Sequence, residues 1–168
     1  MEEMTLKAAV ELAISVEEMG GRLYAHLAKK LEQDRELREL FSGLAADERE
    51  HQRQFTALLS AVSGPGKPTL NAEHKAYLRA EALNEFFGAR GGPFARRDDI
   101  RTSRDALSKA LELETMTLAY YQALREVLGH SDAIEALIAA ETCHVEDVTR
   151  ALGAAVKRQA ANSIGSVG

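Results

Sequence analysis

The sequence predicts an all-α fold, a four-helix bundle, and three observations support this class. Four segments space their apolar residues alternately three and four apart, which keeps them on one face of a helix. Short connections join the first segment to the second and the third to the fourth, whereas a long link separates the two pairs. The two pairs also resemble each other in sequence, so we expect two copies of one helical hairpin.

Turn-forming residues delimit the four segments, which are 6–31, 37–62, 107–128 and 134–155. Gly129 follows the third segment, and Ser131 is positioned to cap the fourth. Ser103 is the predicted N-cap of the third segment. The second segment ends at a run of glycine and proline, residues 63–68, because these residues do not continue a helix.

A long crossover, residues 63–102, links the two predicted hairpins. It is too long for a tight antiparallel turn and fits a chain that crosses the full length of the bundle. The second and third segments should therefore run parallel, and a short fifth helix can form at 71–87. We expect one bundle domain over residues 1–160 and a flexible tail at 161–168.

The composition is that of a soluble globular domain and excludes several functional classes. The 168 residues carry a net charge of −5 and no basic block, which argues against nucleic acid as a partner. The single cysteine, Cys143, excludes an intrachain disulfide and a four-cysteine metal site, and we expect it to be buried. Neither a secretory signal nor a membrane-spanning stretch is predicted, so the expected location is the cytoplasm.

Six ionisable residues lie inside the apolar stripes, near the middle of each segment. They are Glu17, Glu48, His51, Glu114, Glu141 and His144. Each histidine follows a glutamate by three residues, and residues three apart share one face of a helix. Four carboxylates and two imidazoles are therefore predicted to converge at the centre of the bundle.

Such a cluster needs neutralising, because one ionised carboxylate in a low-dielectric core already costs several kcal/mol. No lysine or arginine occupies the four stripes. Two divalent cations would cancel the four negative charges, and the imidazoles add neutral nitrogen ligands. Carboxylate-rich sites with one imidazole per ion favour iron or manganese, and this arrangement is the one described for ferritin-like di-iron bundles.

Four motifs carry a family resemblance: Glu17-x-x-Gly20-x-x-Leu23-Tyr24, Ala46-Asp47-Glu48-Arg49-Glu50-His51, Glu114-x-x-Thr117-x-x-Tyr120-Tyr121 and Ala140-Glu141-Thr142-Cys143-His144. On these motifs the sequence resembles the rubrerythrin-like branch of the ferritin-like superfamily over about residues 5–155. The resemblance implies a ferritin-like fold in which Glu48 and Glu141 bridge two iron ions. The implied terminal ligands are Glu17, His51, Glu114 and His144.

Tyr24 and Tyr121 each lie two helical turns after a candidate ligand glutamate, on the same face. We expect each phenol to hydrogen-bond across the bundle to a ligand carboxylate. The chain departs from the family in two respects. It has no four-cysteine rubredoxin domain, so a separate electron-donor protein is expected, and Thr117 stands where rubrerythrin-type peroxidases have an additional glutamate.

The leading functional hypothesis is a non-haem di-iron oxidoreductase that reduces H2O2 or O2, either as a rubrerythrin-like peroxidase or as a ferroxidase. One alternative is an iron-binding or storage protein without catalytic turnover. Another is a structural or regulatory bundle with an empty or zinc-filled site. Manganese or zinc can occupy the same ligands in place of iron. We expect a homodimer with no nucleic-acid or membrane partner.

Overall fold

The structure, a computed structural model, describes residues 5–63, 70–73 and 100–165. Four long α-helices account for most of these residues, and no strand occurs among them. The helices are α1 (Leu6–Lys30), α2 (Arg35–Val62), α3 (Ser103–Leu128) and α4 (Asp132–Gly165). The predicted all-α four-helix bundle is therefore confirmed. Most of the predicted crossover, including nearly all of the fifth helix at 71–87, lies outside the described residues.

The two hairpins predicted from the repeat are present, since α1 packs along α2 and α3 packs along α4. The helices begin at side-chain caps, each of which is worth about 1 kcal/mol. Thr5 caps α1 and Asp34 caps α2, accepting backbone hydrogen bonds of 3.0 and 3.1 Å. Ser131 caps α4 as predicted, accepting from the amide of Ile134 at 3.5 Å.

The N-cap of α3 differs from the prediction by one residue: it is Thr102, not Ser103. The Thr102 hydroxyl accepts from the amide of Asp105 at 3.1 Å, and the Asp105 carboxylate accepts from the amide of Thr102 at 2.8 Å. This reciprocal capping box satisfies two backbone amides that the helix leaves unpaired. Asp105 lies three residues after Thr102, so the box selects Thr102 as the cap.

Helix α4 extends further than its predicted end and continues through Gly165, into the segment expected to be a flexible tail. Its later residues include Lys157, Arg158, Gln159 and two alanines, which all favour helix. The Arg158 guanidinium also donates to Glu36 of α2 at 3.2 Å and so links the end of α4 to the bundle. None of the described helices is apolar over a length that could cross a membrane.

Aromatic residues pack on both sides of the central polar residues. Phe41 and Phe55 each lie seven residues from Glu48, and therefore about two turns to either side of it on α2. Phe41 stacks on Tyr24 with ring centroids 6.0 Å apart, and Phe55 packs against Tyr121 at 4.7 Å. All four rings are fully buried. These two aromatic pairs enclose the centre of the bundle along its axis.

Candidate metal centre

The structure brings all six predicted site residues into one buried cluster. The cluster consists of Glu17 on α1, Glu48 and His51 on α2, Glu114 on α3, and Glu141 and His144 on α4. No member is more than 6% exposed. Each helix contributes its residues from the middle of its apolar stripe, so hydrophobic packing of the four stripes is what forces the polar groups together.

Both histidines present Nδ1 to the carboxylates. His51 Nδ1 lies 2.8 Å from Glu141 Oε1 and 3.4 Å from Glu48 Oε2. His144 Nδ1 lies 3.4 Å from Glu114 Oε2 and 3.5 Å from Glu141 Oε2. The two imidazole centroids are 5.4 Å apart. Glu141 therefore contacts both histidines, one with each carboxylate oxygen.

Two overlapping groups in the cluster have the dimensions of metal sites, and a third group joins them. The first contains Glu17, Glu48, His51 and Glu141, and the second contains Glu48, Glu114 and His144. The joining group contains His51, Glu141 and His144. In each group one ligand atom per residue lies within 4.8 Å of all the others. Glu48 belongs to both groups, which is the arrangement expected of a carboxylate that bridges two ions.

The cluster contains buried polar atoms that have no hydrogen-bond partner. The seven atoms are Glu17 Oε2, Glu48 Oε2, His51 Nδ1, Glu114 Oε2, both carboxylate oxygens of Glu141, and His144 Nδ1. Leaving a buried polar group unsatisfied costs about 1–3 kcal/mol. All seven atoms point at the shared interior of the cluster, and all are oxygen or imidazole nitrogen. This donor set fits a pair of divalent ions of the iron or manganese type.

The predicted tyrosines orient two of the carboxylates. The Tyr24 hydroxyl donates to Glu114 Oε1, and the Tyr121 hydroxyl donates to Glu17 Oε1, so each phenol reaches across from one hairpin to the other. In each glutamate the remaining oxygen, Oε2, is one of the unsatisfied atoms. Each phenol thus fixes the outer oxygen of a carboxylate and directs the inner oxygen toward the centre.

Burial shifts the proton affinities of the carboxyl groups strongly. It raises the pKa of Glu114 to about 8, with the charge of Glu141 adding to the rise and the adjacent His144 opposing it. Without metal, Glu114 therefore holds a proton at neutral pH. Burial, together with the charge of Glu17, also raises the pKa of Glu48 well above its usual value.

The pKa values of both histidines are raised, although burial alone would lower them. Burial lowers the pKa of an imidazole, but here the adjacent carboxylates outweigh it and raise the pKa of His51 to about 9 and that of His144 to about 11. Burial likewise raises the pKa of Glu141, yet the two adjacent imidazoles outweigh it and hold that pKa at about 2. In the metal-free cluster, protons therefore balance the carboxylate charges that metal cations would otherwise balance.

A surface hollow of about 250 Å³ lies between α1 and α2 and reaches the cluster at Glu17. Gly21 and Arg22 line it from α1, while Arg49 and Gln52 line it from α2. A larger cavity of about 560 Å³ lies at the N-termini of α2 and α3, and none of its lining residues belongs to the cluster. Glu17 is therefore the cluster residue that lines the smaller hollow.

Asp47 and Cys143 were not correctly anticipated, and the sequence left the orientation of the Thr117 side chain open. Asp47 had no predicted role, but its Oδ2 lies 3.4 Å from His144 Nε2. Cys143 is exposed rather than buried, because it projects from the side of α4 away from the bundle axis. Thr117 is buried and its hydroxyl donates to the backbone carbonyl of Leu113 at 3.0 Å, so it turns onto its own helix instead of toward the carboxylates.

Comparison with known proteins finds one family model that matches part of the chain. The rubrerythrin family model matches residues 9–87, a span that includes α2 and most of α1. Glu17, Glu48 and His51 lie within the matched residues. Searches of the curated proteins and of the solved structures gave no match. The family match and the buried carboxylate–histidine cluster together indicate a metal centre.

Proposed function

Because the chain is a rubrerythrin-like protein with a ferritin-like four-helix bundle, we propose that its central cluster binds two iron ions and reduces a small oxidant, H2O2 or O2. The observation that carries the proposal is the set of seven unsatisfied buried ligand atoms, which fall into two overlapping groups. Glu48 and Glu141 are the proposed bridging ligands. Glu17, His51, Glu114 and His144 are the proposed terminal ligands.

Charge balance supports two ions. The four glutamates carry four negative charges when ionised, and two divalent ions cancel them, while neutral imidazoles leave the sum unchanged. The ions replace protons, because Glu114 and both histidines retain protons at neutral pH in the metal-free state, and the pKa of Glu48 is also raised. When bound, a ferrous pair would supply two electrons, which together with two protons from solvent reduce H2O2 to two water molecules.

The surrounding residues hold the ligands in place. Burial, with the charges of the nearby glutamates, raises the pKa of Tyr24 and Tyr121 well above the usual value, so both phenols stay protonated and continue to donate. The aromatic pairs above and below the cluster keep it enclosed along the bundle axis. The hollow at Glu17 leaves one side through which a small oxidant approaches.

The proposal includes both peroxide and dioxygen as the oxidant. Thr117 supplies no ligand at the position where rubrerythrin-type peroxidases have an additional glutamate, which favours a slower peroxidase or a ferroxidase. A separate protein is proposed as the electron donor, since the chain has one cysteine and therefore no four-cysteine iron site. We also propose that the protein forms a homodimer.

The test is anaerobic loading of the metal-free protein with Fe(II), followed by one equivalent of H2O2 or O2. We expect two irons per chain and a near-ultraviolet band of the ferric pair that forms rapidly with at least one oxidant. Glu48→Ala should abolish the band, whereas Glu50→Ala, on the exposed side of the same helix, should not. Iron binding without rapid oxidation, together with a native mass of many subunits, would instead indicate storage. Little bound iron would leave a structural bundle.

A further inference from the structure

The six predicted ligands and the two tyrosines form matching pairs between the two halves of the cluster, but a carboxylate that contacts one of the histidines has no counterpart. The repeat pairs Glu17 with Glu114, Glu48 with Glu141, His51 with His144, and Tyr24 with Tyr121. The residue before Glu48 is Asp47, but the residue before Glu141 is Ala140. Only one of the two halves therefore supplies a carboxylate at this position.

Asp47 contacts the histidine of the opposite hairpin. Its Oδ2 lies 3.4 Å from His144 Nε2, while His144 Nδ1 faces Glu114 and Glu141. The imidazole is thus contacted at both nitrogens, and a metal ion on Nδ1 leaves Nε2 as the proton donor to Asp47. Among the residues that the structure describes, His51 makes ion pairs only with glutamates of the cluster itself.

A carboxylate on the distal nitrogen of a ligating histidine fixes the tautomer and the ring orientation and makes the ligand more basic. Loss of such a partner commonly lowers metal affinity by about 10–100-fold. The Asp47 side chain is 59% exposed, so solvent weakens its effect and the lower end of this range applies. Gly20 and Thr117 are another unmatched pair near the cluster, and neither presents a polar side-chain atom to the carboxylates.

We propose that Asp47 is a positioning residue for His144 and makes the two metal positions unequal. The position at Glu114 and His144 then binds its ion about tenfold more tightly than the position at Glu17 and His51. This inference rests on the proposed metal centre but not on its redox reaction. It predicts that the protein fills in order, with a singly loaded form whose ion is held by Glu48, Glu114 and His144.

Cobalt(II) is a suitable probe because it binds carboxylate and imidazole ligands and can be titrated without redox turnover. We expect the wild-type protein to bind two Co(II) ions in two steps separated by about tenfold in affinity. Asp47→Ala should weaken the first step about tenfold, and Asp47→Asn, which retains an acceptor oxygen, should restore part of the loss. Ala140→Asp should strengthen the second step by giving His51 the missing partner.

Single-position backgrounds locate the effect. His51→Ala retains the ligands around His144, and there Asp47→Ala should weaken the remaining Co(II) about tenfold. His144→Ala retains the ligands around His51, and there Asp47→Ala should change nothing. Asp147→Ala removes an exposed aspartate of α4 that pairs with Arg150, and serves as the control for a general loss of charge. Thermal unfolding of each metal-free variant shows whether it is folded.

Several results would overturn the inference. One is equal affinity of the two wild-type steps, and another is an unchanged first step in Asp47→Ala. A third is an equal loss in both single-position backgrounds, which would indicate a general structural role. In each of these cases the proposed function stands, because two ions still bind. Failure of the wild-type protein to bind Co(II) or Fe(II) at all would overturn both proposals.

Discussion

Replacing Glu114 by glutamine should stabilise the metal-free protein although it removes a metal ligand. Glu114 is fully buried, and burial raises its pKa to about 8, with Glu141 adding to the rise and His144 opposing it. The folded protein at pH 7 therefore keeps a proton that an exposed carboxyl would have lost. Because the same carboxyl has a pKa of 4.5 in the unfolded chain, keeping it protonated in the folded protein at pH 7 lowers the free energy of unfolding by about 3 kcal/mol. Glutamine removes this cost and still accepts from Tyr24.

The pH dependence gives the prediction its sign. Since the folded pKa of Glu114 lies above the unfolded value, its stabilising contribution is fully present below pH 4.5 and is lost as the pH rises through about 8. The gain in Glu114→Gln should therefore be near zero at pH 4.5, about 3 kcal/mol at pH 7, and nearly constant above pH 8. At pH 7 this corresponds to a rise in Tm of about 6–12 °C.

The assay is urea and thermal unfolding of the metal-free protein at several pH values between 4.5 and 9. Glu112→Gln is the matched control, because Glu112 lies on the same helix but is exposed, and it should change stability by at most about 0.5 kcal/mol. Saturating Co(II) should reverse the order, stabilising the wild type more than the variant. The reasoning would be refuted if the Glu114→Gln protein were less stable than the wild type at pH 7. It would also be refuted if the difference in stability between the two proteins did not change with pH.

Three further outcomes follow from the same cluster. Metal loading at pH 7 should release at least about three protons, from Glu114 and the two histidines. Calorimetric titration in buffers of different ionisation enthalpy measures the number, and release of less than one proton would contradict the protonation described above. Tyr24→Phe and Tyr121→Phe should each destabilise the protein by about 1–3 kcal/mol and weaken Co(II) binding, because each leaves a buried carboxylate oxygen without its donor. Unfolding curves and Co(II) titrations that match those of the wild type would exclude this role. Thr102→Ala should lower the free energy of unfolding, measured in urea, by about 1 kcal/mol and leave metal binding unchanged. A change in metal binding would mean that the N-cap of α3 and the cluster are coupled.

The fold and the cluster were predictable from sequence because both follow from one regular spacing. A helix repeats every 3.6 residues, so a polar residue inside an apolar stripe must face the core wherever the stripe packs. Glu17, Glu48, Glu114 and Glu141 all stand in that position. The tyrosines followed from the same argument, because seven residues make two turns and return to the same face.

The features that sequence did not predict depend on distances between helices. Asp47 lies outside the apolar stripe of α2, and only the packing of α2 against α4 brings it within reach of His144. The extension of α4 includes a contact between Arg158 and Glu36, which are far apart in sequence. The cap at Thr102 was a choice between two adjacent hydroxyl residues, and the position of Asp105 decided it.

The most direct test of the metal centre is an anomalous diffraction experiment on crystals of the protein loaded anaerobically with Fe(II). We expect two anomalous peaks inside the bundle, both in contact with Glu48 and Glu141. One peak should lie at Nδ1 of His51 and the other at Nδ1 of His144. A single peak, peaks outside the cluster, or no peak in a crystal that contains bound iron would contradict a two-metal site built from these six residues.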